Sequence, residues 1–296
     1  MGRKIVTLES REHWLSLRQK VITSTEISAL FDCNPYMTKF ELWHYKNGSA
    51  VQDFESTERM TWGSRLEPVI AQGVSEDLSL DARPYKDFIF DDTLKLGASY
   101  DYVYGDDGIL EIKNVDGLQY KQKWTEDEAP LHIELQVQLQ MFLSGRKKAL
   151  IAALVGGNEI KTCERTVDDA VINAIKKKAS EFWALKEAPT PDFQKDADFI
   201  MSISQFAEPN TVMTATPEIE ELARAYKFAS QAEKEHAKTK DAIKAQLMTI
   251  IGSCEKVKGN SFSISAGITG PSEYTVKRKA FRNFKLTWKE TQDNGA

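Results

Sequence analysis

Cysteine is scarce in this chain: there are three in 296 residues, Cys33, Cys163 and Cys254, far apart. Their spacing offers no disulfide framework, no paired zinc ligands and no thiolate set for an iron–sulfur centre. Histidine is nearly as scarce. His13, His44, His132 and His236 are scattered, without ligand spacing or a neighbouring nucleophile, and read as structural or exposed. Long apolar runs are missing too. Residues 149–155 (ALIAALV) form one of the longest, far short of the ~20 residues a bilayer requires. The first residues, MGRKIVTLESREHW, lack the apolar stretch of a secretion signal. There is no excess of basic charge, the net charge being −5. This argues against a uniformly basic surface, although one local basic stripe suffices to hold phosphates. The expectation is a cytoplasmic protein with no membrane segment.

What is present reads as globular α/β. Helices are expected at 11–19, from Thr38 to Tyr45, at 57–73, 131–145 and 167–187. Strands are expected at 84–90, 96–104, 109–115, 148–155 and 159–166. This is a mixed central sheet flanked by helices. Residues 191–214 are punctuated by Pro and Asp and read as a linker between a core at 1–190 and an extension at 215–296. Pro217 opens a long charged helix to about Ile251, a packing or partner surface because its face mixes both signs. A small β region follows.

Residues 97–114, GASYDYVYGDDGILEIKN, carry the chemistry. Two apolar runs flank a Gly-Asp-Asp-Gly turn, the pattern of a β-hairpin. Yet Asp101, Glu111 and Lys113 lie inside its strands, and charged residues fill strands poorly unless they face water or act. Side chains alternate across a strand, so Glu111 and Lys113 share a face. A three-residue loop, Asp106-Asp107-Gly108, would pair Asp101 with Lys113 and Val103 with Glu111, with Gly108 left-handed. Two carboxylates, with the Ile112 carbonyl, would suit Mg²⁺, a hard cation that prefers oxygen. Lys113 would orient a water and offset charge in the transition state. A second Glu-Ile-Lys, at 159–161, has Ala149 where a partner Asp would stand, and reads as a solvated strand face.

Four further segments carry a resemblance. Trp14-Leu15-Ser16-Leu17-Arg18 with Val21-Ile22-Thr23-Ser24-Thr25-Glu26, then Trp62-Gly63-Ser64-Arg65-Leu66-Glu67, then Ser99-Tyr100-Asp101 with Leu110-Glu111-Ile112-Lys113, and Gln136-Val137-Gln138-Leu139-Gln140 follow in order. Together they resemble the lambda exonuclease family (YqaJ-type viral recombinases), of the PD-(D/E)xK superfamily, across about 10–190. The resemblance implies a restriction-endonuclease-like core. It implies that Asp101, Glu111 and the Ile112 carbonyl hold metal, two Mg²⁺ ions per site with Mn²⁺ as substitute. Lys113 positions the water, Glu67 orients metal-bound water and Gln136 completes the site. Arg18, with Ser24 or Thr25, grips the 5′-phosphate. It further implies a phage or prophage enzyme that degrades one strand of linear double-stranded DNA 5′→3′ to mononucleotides. A ring-shaped homotrimer and a single-strand annealing partner belong to the same picture. Tyr100 and Tyr102 stand where the family often has Pro and Gly.

Other readings of the same core are an endonuclease and an inactive DNA-binding scaffold. Near the end, Lys277, Arg278, Lys279 and Arg282 interleave with Phe281, Phe284 and Trp288, a pattern able to touch DNA.

Overall fold

In this computed structural model, which describes residues 2–51, 57–125, 127–273, 275 and 282–287, the chain divides into two units, Met1–Ile203 and Ser204–Ala296. The first runs β1 (Arg3–Thr7), α1 (Arg11–Lys20), β2 (Ile22–Thr23), a 3₁₀ turn (Ile27–Phe31), α2 (Lys39–Lys46), α3 (Glu58–Leu78), β3 (Ala82–Pro84), β4 (Asp87–Asp91), β5 (Leu96–Ala98), β6 (Tyr102–Tyr104) and β7 (Gly108–Val115). It continues with α4 (Gly117–Lys123), α5 (Leu131–Ser144), β8 (Lys148–Val155), β9 (Glu159–Thr166), α6 (Asp169–Trp183) and α7 (Ala197–Ile203). The second has α8 (Pro217–Ile251) and the hairpin β10 (Lys256–Lys258) and β11 (Ser263–Ser265).

The strands of the first unit form two sheets, ordered β1-β4-β5-β2 and β3-β6-β7-β8-β9. Both are mixed: β2 with β5 and β7 with β8 are parallel, and the remaining pairs antiparallel. The expected single strand 96–104 is therefore two. Its first part, β5, belongs to one sheet and its second, β6, to the other, with Ser99-Tyr100-Asp101 as the crossing.

Helix α5 shares a core with both sheets. Its Ile133, Val137 and Met141 are buried with Ile89, Leu96 and Ala98 of one sheet and Ile109 and Ile151 of the other. A helix covered on all sides is apolar all round, so its three buried glutamines must find partners inside. Gln138 donates to the Thr166 carbonyl (2.8 Å) and accepts from the Asp168 N–H (2.9 Å), fixing the entry to α6. The other two build the site described below.

On the opposite face of β7, Leu110 and Ile112 pack against Ile70, Ala71 and Val74 of α3. Burying such side chains contributes about 1.5–3 kcal/mol each, which holds β7 between two helices. Helix α3 runs through Gly73, its expected end, and stops where Ser79 turns left-handed. A capping box joins Thr38 and Glu41 at the start of α2.

The unit boundary also splits the expected 191–214 linker. Asp196 is fully buried and accepts from the Thr38 hydroxyl (2.6 Å) and the Asp192 N–H (2.7 Å). These bonds build the segment before α7 into the first unit, beyond the expected core limit at 190. No helix among the described residues is long and apolar enough to cross a membrane.

Candidate active site

The β6–β7 hairpin has a three-residue loop, but one residue earlier than expected: Tyr104 pairs with Gly108, Val103 with Ile109 and Tyr102 with Leu110. Gly105, at φ +50°, is the left-handed residue, and Gly108 is a strand residue. A Cβ on Gly108 would lie 2.5 Å from the Tyr104 ring, so a larger residue there would have to displace that tyrosine. The register differs from the expected one by two residues, which keeps every side chain on its face. Asp101 therefore stands across from Glu111 rather than Lys113, with both carboxylates still on the α5 side.

The ladder stops at Tyr102–Leu110. Beyond it, Asp101 Oδ2 accepts the main-chain N–H of Ile112 at 2.9 Å. Because the N–H and C=O of one strand residue point the same way, the Ile112 carbonyl also faces this open edge. Glu111 is 2% exposed. Its Oε1 accepts from Lys113 Nζ (2.5 Å) and Gln136 Nε2 (2.6 Å), and its Oε2 from Gln140 Nε2 (2.8 Å). Gln136 Oε1 also accepts from Lys113 (3.2 Å), closing a ring of three residues. Gln140 reaches the Ser99 carbonyl as well (3.0 Å), tying Glu111 to the crossing that carries Asp101.

Burial, then the Glu111 charge, push the Asp101 carboxyl well above the usual carboxylate range, despite Lys113. Burial and Glu111 raise half-buried Glu67 likewise. Burial works against the Lys113 ammonium, but Glu111 and Asp101 outweigh it and its pKa rises. Lys113 thus remains a cation in the midst of three acids.

Among the described residues no group of three His, Cys, Asp or Glu side chains is gathered closely enough to hold a metal ion alone. The available donors are hard oxygens: Asp101, one remaining lone pair on Glu111 Oε2, and the Ile112 carbonyl. A divalent cation would relieve the repulsion that Glu111 exerts on the Asp101 carboxylate.

A cavity of about 290 Å³ opens beside this cluster. Lys113 and Gln136 line its inner wall, with Thr25, Arg59, Lys123 and His132 around them. Among its described lining residues are three cations and no carboxylate. Burial, followed by Lys113 and Lys123, lowers the His132 pKa to about 4.

The residues expected from sequence to bind phosphate differ in exposure and partners. Thr25 is exposed on the cavity, whereas Ser24 is buried, its N–H on the Gly97 carbonyl. Arg18 stacks 4.6 Å from the Trp14 ring centroid and pairs with Glu26 at 3.1 Å. Buried Glu26 also binds Lys46 (2.7 Å) and the Thr23 N–H (2.9 Å). Lys277, Arg278 and Lys279 lie outside the described residues. Arg282 donates to the Ser204 and Phe206 carbonyls (3.4 and 3.1 Å). The second Glu-Ile-Lys forms the same ion pair as the first, Lys161 to Glu159 at 2.5 Å, but the two side chains are 43% and 58% exposed.

Residues 13–147 match the model of the YqaJ-like viral recombinase domain. This segment is similar to that family. The matched segment contains Arg18, Glu67, Asp101, Glu111, Lys113 and Gln136. The chain is 30% identical over 203 residues to the protein YqaJ of Bacillus subtilis (strain 168), covering 64% of this chain and 61% of that relative. Among solved structures it is similar to an alkaline exonuclease from Laribacter hongkongensis, with 19% identity, a TM-score of 0.47, and 64% of this chain and 95% of that one covered. It is also similar to a phage-related exonuclease from Haemophilus somnus 129PT, with 14% identity, a TM-score of 0.36, and 66% and 90% covered.

Two residues at the site had been given no role there in the sequence. Gln140 and His132 both lie four residues from Gln136, one turn away on α5, and that spacing was the available signal.

Proposed function

We propose that the YqaJ-like domain is a metal-dependent deoxyribonuclease acting as an exonuclease on linear double-stranded DNA. The observation that carries this is the Asp101–Glu111–Lys113–Gln136 cluster at the end of the β6–β7 ladder, within the family segment. Asp101, Glu111 and the Ile112 carbonyl would hold Mg²⁺, or Mn²⁺ in its place. The bound metal would supply Lewis acidity to a phosphate oxygen and lower the pKa of a water. Lys113, kept charged by the acids around it, holds a proton donor towards the reacting phosphate and offsets its growing charge. Gln136 orients Lys113 and Glu111 together, so neither rotates away. Glu67, its pKa raised by burial and by Glu111, is the candidate to accept or return a proton.

The 5′→3′ polarity, release of 5′-mononucleotides and a 3′ single strand handed to an annealing protein are supported by the family resemblance. So are two ions per site and a ring-shaped homotrimer. Arg18 and Thr25 are the described groups best suited to a 5′-phosphate. The names of the two similar solved structures, both exonucleases, agree with the activity.

The test uses linear duplex DNA with a 5′-phosphate on one strand, beside closed circular plasmid, with Mg²⁺ or EDTA. Mg²⁺-dependent loss of the phosphorylated strand, abolished by Lys113→Ala, is expected. Cutting of the closed circle would establish an endonuclease instead. Binding without hydrolysis of either would leave a scaffold.

A further inference from the structure

Helix α8 has 35 residues, and only Ile251 is buried. A helix of that length spans about 52 Å, and helices owe most of their stability to burying an apolar face. Such a face exists here. Ile219, Leu222 and Tyr226 near one end and Ile243, Leu247 and Ile250 near the other are all exposed. Tyr226 meets the Phe284 ring edge-on at 5.3 Å and is still half exposed. Ala229, Glu233, His236 and Lys240 fill the interval. Steps along this line alternate three and four residues from 219 to 250 without a break. That is the heptad spacing of a coiled-coil seam. The ion pairs Arg224–Glu220 and Lys238–Glu235 lie off it.

The order of residues along the seam selects an occupant. Its ends are apolar and its middle is charged. In a parallel pair of identical helices Glu233 would face Glu233, and Lys240 would face Lys240. Facing like charges across a seam is unfavourable and selects against that orientation. An antiparallel pair removes the conflict. The offset that sets Ile219 against Ile250 of the other copy also sets Leu222 against Leu247, Tyr226 against Ile243 and Glu233 against His236. Lys240 then lies against Ala229, one turn from Glu233 of the other copy.

We infer that α8 is a self-docking surface, which pairs antiparallel with α8 of a second copy of this chain about a twofold axis crossing between Lys234 and Glu235. A polar position within a seam sets orientation at some cost in stability, and the central charges have that role here. The pairing does not depend on the nuclease reading. If the first unit closes a ring, the contact joins two rings; if not, it joins two monomers.

The test is the mass of the full chain by light scattering during gel filtration, with helix content followed by circular dichroism. Leu222→Glu with Leu247→Glu should halve the mass at unchanged helix content in the rest of the protein. Glu233→Lys should weaken association at least tenfold by sedimentation, and adding Lys240→Glu should restore it. An identical mass for wild type and the Leu222→Glu, Leu247→Glu variant would overturn the inference. Equal weakening by the single and the double charge reversal would overturn the antiparallel arrangement. None of these readouts requires DNA hydrolysis.

Discussion

Asp101 covers the N–H of Ile112 at 2.9 Å, where strand pairing with β6 has just ended. One carboxylate thus has two duties: it satisfies a main-chain donor, and it stands across from Glu111. Asp101→Asn separates them. The amide oxygen can still accept from Ile112, so the melting temperature should hold or rise, because a buried charge beside Glu111 is removed. Hydrolysis should fall on the order of 10²–10³-fold. Melting curves and turnover on end-labelled duplex, measured on one preparation, check both halves. A fall in turnover below tenfold would remove Asp101 from the site.

Glu26 sits between Arg18 and Lys46 with almost no solvent contact. Burial raises its pKa, but Lys46, Arg18 and the Thr23 N–H more than offset this, leaving it lowered. Glu26→Ala would leave two cations without their counter-charge, and removing one partner of a buried pair costs about 3–5 kcal/mol. Urea denaturation should show that loss. Lys46→Met should cost less, since Arg18 still accompanies Glu26.

Acid should weaken the fold in two stages. The lowered His132 value, about 4, means that the unfolded chain takes up a proton from about pH 6.5 downward while the folded chain does not. Stability therefore falls between those values. The lowered Glu26 value contributes stability above the ordinary carboxylate range, lost as pH drops through the folded value. His132→Gln should flatten the upper stage only. Melting temperature followed from pH 7.5 into the range below the ordinary carboxylate value for both proteins resolves the two, and an unchanged slope between about pH 6.5 and 5 would contradict the assignment.

Arg59 and Lys123 stand on the cavity wall beside Lys113. If they hold phosphates, each replacement by alanine should weaken binding to duplex ends uniformly across sequences. Each should also reduce the slope of log affinity against log salt by about 1. Fluorescence anisotropy in EDTA reads this without turnover. Their kcat should stay near wild type, in contrast to Lys113→Ala.

The two Glu-Ile-Lys copies show how far the sequence could be read. Both make the same 2.5 Å ion pair. Only the first is embedded, and what embeds it comes from elsewhere: Asp101 eleven residues before Ile112, and Gln136 and Gln140 from α5. The alternation that joined Asp101 to Glu111 was legible because strand faces have period two. The register itself was not, since it depends on Tyr104 lying over Gly108, a contact with no local signature. The two-sheet arrangement was hidden for a similar reason. Residues 96–104 are apolar enough for one continuous strand, and only the partners of each half divide it. Gln140 was quoted without a role, and His132 was read as structural or exposed, because glutamine and histidine on a helix carry no chemistry until the helix is seen to be enclosed. That Arg18 pairs with Glu26 was not legible either, because the two meet only once the turn after β2 folds back on α1.

The crossing at Ser99–Asp101 makes the two carboxylates members of different parts of the molecule. Glu111 rides on the middle strand of the five-stranded sheet, while Asp101 is delivered by the strap from its four-stranded neighbour. The gap between them is in effect a caliper on how the two sheets sit against α5. Substitutions in β4 or β5, such as at buried Ile89, can therefore change turnover with no altered residue in the site.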